Sequence, residues 1–264
     1  MATLVCFHAH PDDECIATGG VMAQASEAGH RVVLVVATRG EHGEVHPEFL
    51  SPGETLEQRR VKETYAAAEI LGVDRIEFLG YVDSGMIGTP ENDLPGSFWQ
   101  ADVEEAAARL AAILTAEGAD TLTIYDDNGG YGHPDHIQVH RVGVRAAEIA
   151  TTPAVYEATM NRDAMIRMME KASEYGFDPP DRPGEADGNI EETRFGLPEA
   201  DLTTAVDVSA YLDIKRRAMA AHSSQIDETS WFLKMPAEAF AAAFGTEWFR
   251  HRGVPAGLHE DRVL

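Results

Sequence analysis

Two short clusters of histidine and aspartate contain the side chains of this chain that are best suited to bind a metal ion. They share a His-Pro-Asp string and occupy residues 10–14 (HPDDE) and residues 132–136 (GHPDH). In each cluster two potential ligands lie three residues apart, His10 with Asp13 and His133 with His136. Side chains at this spacing at the start of a helix face the same way and can share one ion. Two imidazoles and one carboxylate suit zinc and leave a coordination position for water, although iron(II) also accepts this set.

Each of these residues also fits a purely structural role when it is considered alone. Asp is a common helix cap, Pro often starts a helix, and Glu in a first turn interacts favourably with the helix dipole. Asp13 or Glu14 alone would therefore be interpreted as part of a helix start. Two such clusters, each after a strand, need a joint explanation, which a shared metal site gives. His8 is expected to pack at a strand end, and His136 with His140 is a less favoured ligand pair.

The segments before the two clusters are short apolar runs that are typical of buried β-strands. Residues 3–7 (TLVCF) precede the first cluster, residues 121–125 (TLTIY) precede the second, and residues 31–38 (RVVLVVAT) form a third run. A helical pattern through about Gly29 links the first and third runs, and strand, helix and strand in this order predict a parallel sheet. Ligand sites in such sheets lie at the carboxyl ends of the strands. We therefore expect the two clusters to meet at one edge of the sheet.

The same alternation of elements continues along the chain. Further helices are predicted at about residues 55–71, 101–117 and 137–150, and further strands at residues 75–79 and 154–158. Beyond residue 160 the pattern is less regular and predicts a strand at 203–208, helices at 210–221 and 235–244, and a last strand at 246–250. Residues 176–200 are rich in Pro, Gly and acidic side chains, which is typical of a long surface loop or lid.

These elements indicate an α/β fold with a Rossmann-like, mostly parallel sheet flanked by helices and a C-terminal elaboration. We expect a single domain over residues 1–264. Residues 1–160 would form the core that carries both clusters, and residues 161–264 would form the elaboration with the loop or lid at 176–200. No G-x-G-x-x-G follows the first strand and no G-x-x-x-x-G-K-[ST] occurs, so a nucleotide-binding module is not favoured.

The composition excludes several classes of protein and partner. The chain has 264 residues, of which 44% are hydrophobic and 25% are charged, as in globular and not in disordered proteins. Asp and Glu number 45 against 21 Lys and Arg, and the net charge of −24 opposes binding to nucleic acid or anionic lipid. Two cysteines, no leader-like segment and no apolar run of about 18 residues predict a cytoplasmic protein with no integral membrane association.

The two clusters resemble the signature motifs of the N-acetylglucosaminyl-phosphatidylinositol de-N-acetylase family, which is also called PIG-L or LmbE-like. Residues 83–86 (DSGM) and 128–131 (NGGY) resemble the actinobacterial branch that contains the mycothiol-pathway deacetylase and the mycothiol S-conjugate amidase. Residues 221–225 (AHSSQ) are similar to a string near the C-terminus of family members. The resemblance therefore covers most of the chain.

The resemblance implies a role for each matching residue. Metal ligands match at His10, Asp13 and His136, catalytic residues at Asp12, Tyr131, His133 and Asp135, and substrate contacts at Glu44, Arg60 and Asp83. Asp12 would be the general base, and His133, held cationic and oriented by Asp135, would stabilise the oxyanion or protonate the leaving amine. Tyr131 would touch the reacting carbonyl from a mobile, glycine-rich loop. Arg60 also fits an exposed, salt-bridged helix face.

The function that the resemblance implies is that of a metal-dependent amidohydrolase. Zinc would acidify a bound water, Asp12 would take its proton, and the amide on the glucosamine nitrogen of an N-acetylglucosamine-containing small molecule would be cleaved. The sequence leaves open whether Asp12 or His133 protonates the amine. It also leaves open an amidase that releases a larger acyl group from the same nitrogen, a noncatalytic metal-binding module, Fe2+ or another divalent ion in place of zinc, and a homo-oligomer. A small soluble amino sugar is the expected partner.

Overall fold

A sheet of seven strands forms the centre of the part of the chain that the computed structural model describes, which comprises residues 1–171, 174 and 195–264. The strands are β1 (Thr3–His8), β2 (Arg31–Val36), β3 (Arg75–Phe78), β4 (Thr121–Tyr125), β5 (Ala154–Thr159), β6 (Thr204–Asp207) and β7 (Thr246–His251). They lie in the order β3-β2-β1-β4-β5-β7-β6. Most of the loop or lid that we expect at 176–200, namely residues 176–194, lies outside the described residues.

The directions of the strands match a mostly parallel sheet. The first five strands of this order are parallel, whereas β7 is antiparallel to β5, and β6 is antiparallel to β7. The two strands that precede the clusters, β1 and β4, are direct neighbours. The expected α/β fold class is therefore confirmed.

Helices lie around this sheet. In the described residues they are α1 (Asp13–Ala17), α2 (Gly19–Glu27), α3 (Leu56–Leu71), α4 (Val103–Glu117), α5 (Pro134–Ala150), α6 (Arg162–Glu170), α7 (Leu212–Ala221), α8 (Trp231–Lys234) and α9 (Ala237–Phe244). Short 3-10 helices occur at Pro47–Phe49, Pro90–Asp93, Phe98–Gln100, Glu199–Asp201 and Ser209–Tyr211. None of the described helices combines the length and the apolar character that a membrane-spanning segment requires.

Several element bounds differ from the expectation for local reasons. The helix expected to run to Gly29 is divided at Thr18 into α1 and α2. The helix α5 begins at Pro134, three residues before its expected start. Proline fits the first turn of a helix because the backbone N–H that it lacks would have no partner within the helix there. The helices α6 and α8 lie outside the predicted elements. Asn161 and Ser230 cap them through side-chain hydrogen bonds, and cap residues of this type are the signal that could have found both helices.

Alternate residues of β1 belong to two apolar cores, one on each face of the sheet. Leu4 and Cys6 pack in the core that includes α2, α7 and α9, whereas Val5 and Phe7 pack in the core that includes α4 and α5. All four side chains are fully buried. A strand that is covered on both faces loses the alternation of apolar and polar residues, which explains the continuous apolar run at residues 3–7.

The segment after residue 160 continues the same sheet. The strand β7 pairs with β5, β6 pairs with β7, and α7 packs against α1, α2 and α3. The helix α7, from the C-terminal part of the chain, thereby contacts α1, the helix at the first cluster. From this continuity we propose that residues 1–264 form one domain with its core in residues 1–160.

The contact between α2 and the residue after β6 fills the space beside Gly20. A Cβ atom on Gly20 would lie 2.4 Å from Cβ of Val208, whereas a Cβ atom on the neighbouring Gly19 would meet its nearest atom at 3.5 Å. We expect Gly20→Ala to lower the free energy of unfolding by about 1–3 kcal/mol in a urea titration, because overpacking of this kind destabilises by that amount. Gly19→Ala is the matched control and should leave the value unchanged or slightly higher, since Ala favours helices. Equal unfolding midpoints for both variants would contradict the expected clash.

Candidate metal centre and active site

The two His-Pro-Asp clusters lie side by side at the carboxyl edge of the sheet. The strand β1 ends at His8 and β4 ends at Tyr125, and these parallel neighbours deliver the loops that follow them to the same edge. The ring centroid of His10 lies 4.6 Å from that of His133 and 5.4 Å from that of His136. Residues that are far apart in sequence therefore form one site.

One carboxylate oxygen of this site lies between two buried imidazoles. Oδ2 of Asp13 is 3.4 Å from Nδ1 of His10 and 3.3 Å from Nε2 of His136. Ring nitrogens of His10, His133 and His136 also lie within 4.8 Å of one another, so His133 competes with Asp13 as a third ligand. Nitrogen and oxygen donors that converge in this way fit a divalent ion such as Zn2+ or Fe2+. The chemistry of the donors thus matches the metal that the sequence indicates.

Nε2 of His10 faces two carboxylates, so the ring proton of His10 lies on this nitrogen. Nε2 lies 3.1 Å from Oδ2 of Asp135 and 3.5 Å from Oδ1 of Asp83. Asp135 is fully buried. Its carboxylate also accepts hydrogen bonds from the hydroxyl of Ser84 and, at 2.9 Å, from the backbone N–H of Ser84. Carboxylates commonly orient metal-binding histidines in this way. With Nε2 of His10 as the donor to Asp135, Nδ1 is left to bind an ion beside Asp13.

The charges in the site favour a cation. Burial opposes protonation of His10, but the carboxylates of Asp83, Asp13 and Asp135 outweigh it and raise the pKa of His10 well above its usual value. Burial likewise opposes ionisation of Asp13, but His136 and His10 outweigh it and lower the pKa of Asp13 well below its usual value. The carboxylates therefore favour a positive charge at the ring of His10, and a divalent ion can take the place that a proton would otherwise occupy.

The contacts of Asp135 differ from the expectation that its carboxylate orients His133. That carboxylate bonds to His10 and Ser84, whereas the backbone N–H of Asp135 donates to Nδ1 of His133 at 3.1 Å. Burial, together with the neighbouring His10 and His136, lowers the pKa of His133 to about 4. This arrangement therefore favours a neutral His133 over the expected cationic one. His133 is the N-cap residue of α5, so its neutral ring accepts at Nδ1 and keeps a proton on Nε2.

Asp12 lies next to Asp13 in a strained conformation. Its φ of 94° is in the region that residues other than glycine rarely adopt. Nη2 of Arg60 lies 3.4 Å from Oδ2 of Asp12 and donates to the carbonyl oxygen of Pro11 at 2.6 Å. Burial raises the pKa of Asp12 to about 6, and the cation of Arg60 opposes this rise. Arg60 is itself buried, so the alternative of an exposed, salt-bridged helix face is wrong for this residue.

The other two predicted substrate contacts lie in different settings. Asp83 is buried against His10 and accepts a hydrogen bond from the backbone N–H of Gly85 at 2.8 Å. Burial opposes its ionisation, but His10 outweighs this effect and lowers the pKa of Asp83. Glu44 is exposed in the loop after β2, and its carbonyl oxygen accepts from Nε2 of Gln225 at 3.0 Å. The structure therefore brings Asp83 into the site and leaves Glu44 at the surface.

Tyr131 stands beside the candidate metal-binding residues on a glycine-rich loop. It is 45% exposed, and its hydroxyl lies 3.5 Å from Nε2 of His136. The flanking Gly130 and Gly132 have φ values of 76° and 96°, which glycine adopts at little cost. The carboxylate of Asp126 accepts from the backbone N–H of Gly130 at 2.8 Å and so holds the base of the loop. Tyr131 is therefore both close to the donor set and accessible to a substrate.

Two further residues shape the site and lie outside the predicted set. Ser84 binds the carboxylate of Asp135 with both its hydroxyl and its backbone N–H. Tyr125, the last residue of β4, stacks on His136 with ring centroids 4.4 Å apart and an interplanar angle of 11°. The sequence carries a signal for each of them. Ser84 directly follows Asp83, and Tyr125 ends the strand that leads to the second cluster.

Two more histidines near the site have packing roles. Nδ1 of His8 is 2.8 Å from the hydroxyl of Tyr125, and its Nε2 is 2.8 Å from the hydroxyl of Thr18. His8 thus packs at the strand end, as expected. Nδ1 of His140 donates to the carbonyl oxygen of Tyr125 at 3.0 Å. Among the described residues His140 belongs to none of the groups that could hold a metal ion, so the pair of His136 with His140 is not favoured as a ligand set.

Comparison with known proteins places this site in a family. Residues 5–147 match the model of PIG-L, the GlcNAc-PI de-N-acetylases. Proteins named 1D-myo-inositol 2-acetamido-2-deoxy-alpha-D-glucopyranoside deacetylase are similar over almost the whole chain. The one from Catenulispora acidiphila is 40% identical, and the alignment covers 98% of this chain and 87% of the relative. The one from Thermobispora bispora is 38% identical, and the alignment covers 95% of this chain and 91% of the relative. The fold is similar to that of the N,N'-diacetylchitobiose deacetylase from Pyrococcus horikoshii, with a TM-score of 0.58, 23% identity and coverage of 94% of this chain and 83% of that one. The chain therefore belongs to the PIG-L family of hydrolytic de-N-acetylases, as its two His-Pro-Asp clusters predicted.

Proposed function

We propose that this protein removes the acetyl group from the glucosamine nitrogen of a small, soluble N-acetylglucosamine derivative, with an inositol glycoside as the favoured substrate. The observation that carries the proposal is the position of Asp12, a largely buried carboxylate with a raised pKa beside a donor set of two histidines and one aspartate. Metal-assisted hydrolysis requires a base at the edge of a metal site. The names of the curated relatives support the choice of a 2-acetamido sugar linked to inositol.

His10, Asp13 and His136 would hold a divalent ion, for which we propose Zn2+, with Fe2+ as the alternative. When bound, the ion would polarise the amide carbonyl and lower the pKa of a water molecule. The three residues supply two nitrogen donors and one oxygen donor, and Asp135 and Asp83 fix the ring of His10 for this task. Metal analysis of the purified protein, followed by restoration of activity ion by ion after chelation, decides between the two metals.

Asp12 would take the proton from the attacking water. Its pKa of about 6 leaves it ionised near neutral pH and basic enough to hold the proton during the next step. The guanidinium of Arg60, 3.4 Å from Oδ2, keeps the carboxylate in place. Because burial keeps His133 neutral, we assign protonation of the departing amine to Asp12 as well.

His133 and Tyr131 would bind the carbonyl side of the substrate. Nδ1 of His133 accepts from the backbone of α5 at 3.1 Å, which leaves the N–H at Nε2 free to donate. A preorganised N–H of this kind stabilises the negative charge that develops on the carbonyl oxygen. The hydroxyl of Tyr131, 3.5 Å from Nε2 of His136, is a second donor next to the donor set. Asp83 from within the site, and Glu44 from its exposed loop, would contact the sugar.

A second candidate is an amidase that releases a larger acyl group from the same nitrogen. The segment that follows Asp83 exposes three large apolar side chains, namely Met86 (48%), Ile87 (65%) and Leu94 (42%). Asp83 contacts His10, so this apolar surface begins close to the reacting centre. An apolar acyl or thioether group longer than acetyl would be stabilised against such a surface.

The proposed activity is tested by amine release. The metal-loaded protein is incubated with a panel of N-acetyl sugars, and the amine is measured with fluorescamine. We expect N-acetylglucosaminyl-inositol to be hydrolysed fastest, and a bulky thiol conjugate of the same glucosamine more slowly. Faster turnover of the conjugate would favour the amidase, and equal rates would contradict both assignments. No amine from any compound of the panel would refute the proposed function.

The contacts of Asp135 predict a specific defect for Asp135→Asn. An amide in place of this carboxylate weakens the hydrogen bond that orients His10, so metal affinity should fall about 10- to 100-fold, as for other partners of metal-binding histidines. A titration against a metal buffer measures this affinity. Asp127→Asn, which changes an exposed carboxylate after β4, is the control and should bind metal normally. Unchanged metal affinity with a reduced kcat would instead assign Asp135 to the orientation of His133.

A further inference from the structure

The backbone of Asp12 is held from both sides by neighbouring side chains. Its φ of 94° and ψ of −30° place it in a conformation that persists in a residue other than glycine only where the surroundings enforce it. The N–H of Asp12 donates to Oε2 of Glu14 at 2.9 Å. The carbonyl oxygen of Asp12 accepts from the thiol of Cys15 at 2.8 Å and from its backbone N–H at 3.2 Å. The strained conformation thus depends on side chains of the helix α1 that Asp12 precedes.

The carboxylate of Glu14 connects this backbone to the C-terminal part of the chain. Oε1 of Glu14 accepts from Nε2 of His222 at 2.6 Å, while Oε2 holds Asp12. Both Glu14 and His222 have no exposed surface. A carboxylate in such a setting requires a partner, since an unpaired buried charge is strongly unfavourable. His222 therefore fixes the side-chain position from which Glu14 holds Asp12.

The turn that carries His222 is anchored to the same helix as Arg60. His222 follows α7 directly, and Glu63 of α3 accepts from the backbone N–H (2.9 Å) and the hydroxyl (2.6 Å) of Ser224. Arg60, one turn earlier in α3, contacts the carboxylate of Asp12. The pair of helices α3 and α7 therefore holds Asp12 at two points, its side chain through Arg60 and its backbone through His222 and Glu14.

We propose that His222 is a positioning residue for the general base: it acts through Glu14 to keep the backbone of Asp12 in its strained conformation, which aims the Asp12 carboxylate at the metal site. This inference rests on the proposed function, because it takes Asp12 to be the base. It assigns a role to the string at residues 221–225, which no catalytic step described above uses. His222 itself touches neither the substrate nor the donor set in this role.

Two substitutions of His222 separate positioning from packing. His222→Leu removes the donor to Glu14, whereas His222→Gln offers an amide N–H close to the place of Nε2. We expect His222→Leu to lower kcat about 10- to 100-fold, as small misplacements of catalytic groups do, with KM within about twofold of the wild type. One metal ion per chain should still bind, because the donor set is intact. His222→Gln should recover most of the lost kcat.

Glu247→Gln provides a matched control for the loss of a buried polar contact. Glu247 is buried like Glu14, accepts from the backbone N–H groups of Gly20 (2.7 Å) and Val21 (2.8 Å) and from Lys215 (2.5 Å), and holds the start of α2 instead of α1. We expect Glu247→Gln to lower the melting temperature at least as much as His222→Leu and to leave kcat unchanged at a temperature well below both transitions.

A crystal structure of His222→Leu gives a readout that does not depend on activity. We expect Asp12 to leave its positive φ and its carboxylate to move away from Arg60. If Asp12 keeps its conformation, or if His222→Leu keeps the kcat of the wild type, the positioning role is refuted. Equal losses of kcat in His222→Leu and Glu247→Gln would also refute it, since a general loosening would then explain the defect. A wild type that hydrolyses no N-acetyl sugar refutes the proposed function instead, and the conformation of Asp12 in the crystal then still decides the structural link.

Discussion

We expect removal of the divalent ion to abolish amide hydrolysis and to lower the melting temperature, and we expect one equivalent of Zn2+ per chain to restore both. The carboxylates of Asp13, Asp83 and Asp135 surround His10, so the folded site concentrates negative charge that a cation balances. An ion that binds only the folded state stabilises it by about 2.7 kcal/mol at a free concentration of one hundred times Kd. The fluorescamine assay and calorimetry before and after dialysis against a chelator measure the two effects. A lower melting temperature with no hydrolysis to lose would favour a noncatalytic metal-binding module.

Two histidines on the same face of α5 give this prediction a matched pair of variants. His136→Ala removes a proposed ligand, so we expect less than one metal ion per chain and no measurable turnover. His140→Ala, one helical turn later, removes a ring that bonds to the carbonyl oxygen of Tyr125, so we expect lower stability but a full complement of metal. Loss of metal from both variants would instead revive the pair of His136 and His140 as ligands.

The meeting of the two clusters could be predicted because it depends on the backbone alone. Parallel neighbouring strands present their carboxyl ends at one edge, so the apolar runs at residues 3–7 and 121–125 were sufficient to bring His10 and His136 together. Residue type and spacing indicated histidine and aspartate donors, and the family resemblance implied which of them, namely His10, Asp13 and His136, would bind the ion. These two inferences need no knowledge of side-chain rotamers, and the architecture of the sheet confirms the first of them.

The partners of individual side chains could not be predicted, because they depend on contacts between distant segments. Asp135 stands two residues after His133 in the sequence, yet the carboxylate of Asp135 bonds to His10 and Ser84. His133 is the N-cap residue of α5, so its ring accepts from the backbone N–H of Asp135 and does not contact the carboxylate. Arg60 has the charged neighbours of an exposed helix face, but the loop after β1 covers it. No local sequence pattern predicts the partners of Asp135 or the burial of Arg60.

Asp12→Ala and Asp12→Asn should lower kcat by about 100- to 10,000-fold, the range that a general base contributes. The donor set does not include Asp12, so we expect one metal ion per chain in both variants. Asn is close in shape to Asp and tolerates positive φ, which keeps the backbone of Asp12→Asn close to that of the wild type. The loss of rate in Asp12→Asn therefore reports the missing base and not a displaced loop. Steady-state kinetics on the best substrate of the panel, with metal analysis of the same samples, provides the measurement.

The stability of Asp12→Asn adds a second, independent expectation. Asp12 combines a positive φ with a carboxylate that burial keeps at a pKa of about 6, so the folded state carries the energetic cost of a poorly solvated charge. The neutral amide removes that cost, and we expect the melting temperature of Asp12→Asn to equal or exceed that of the wild type, as is common where a group is retained for function at the expense of stability. The exposed Asp127→Asn should change neither kcat nor the melting temperature. Near-normal kcat in Asp12→Asn would assign the base to another residue, and a large fall in its melting temperature with intact kcat would make Asp12 a purely structural cap of α1.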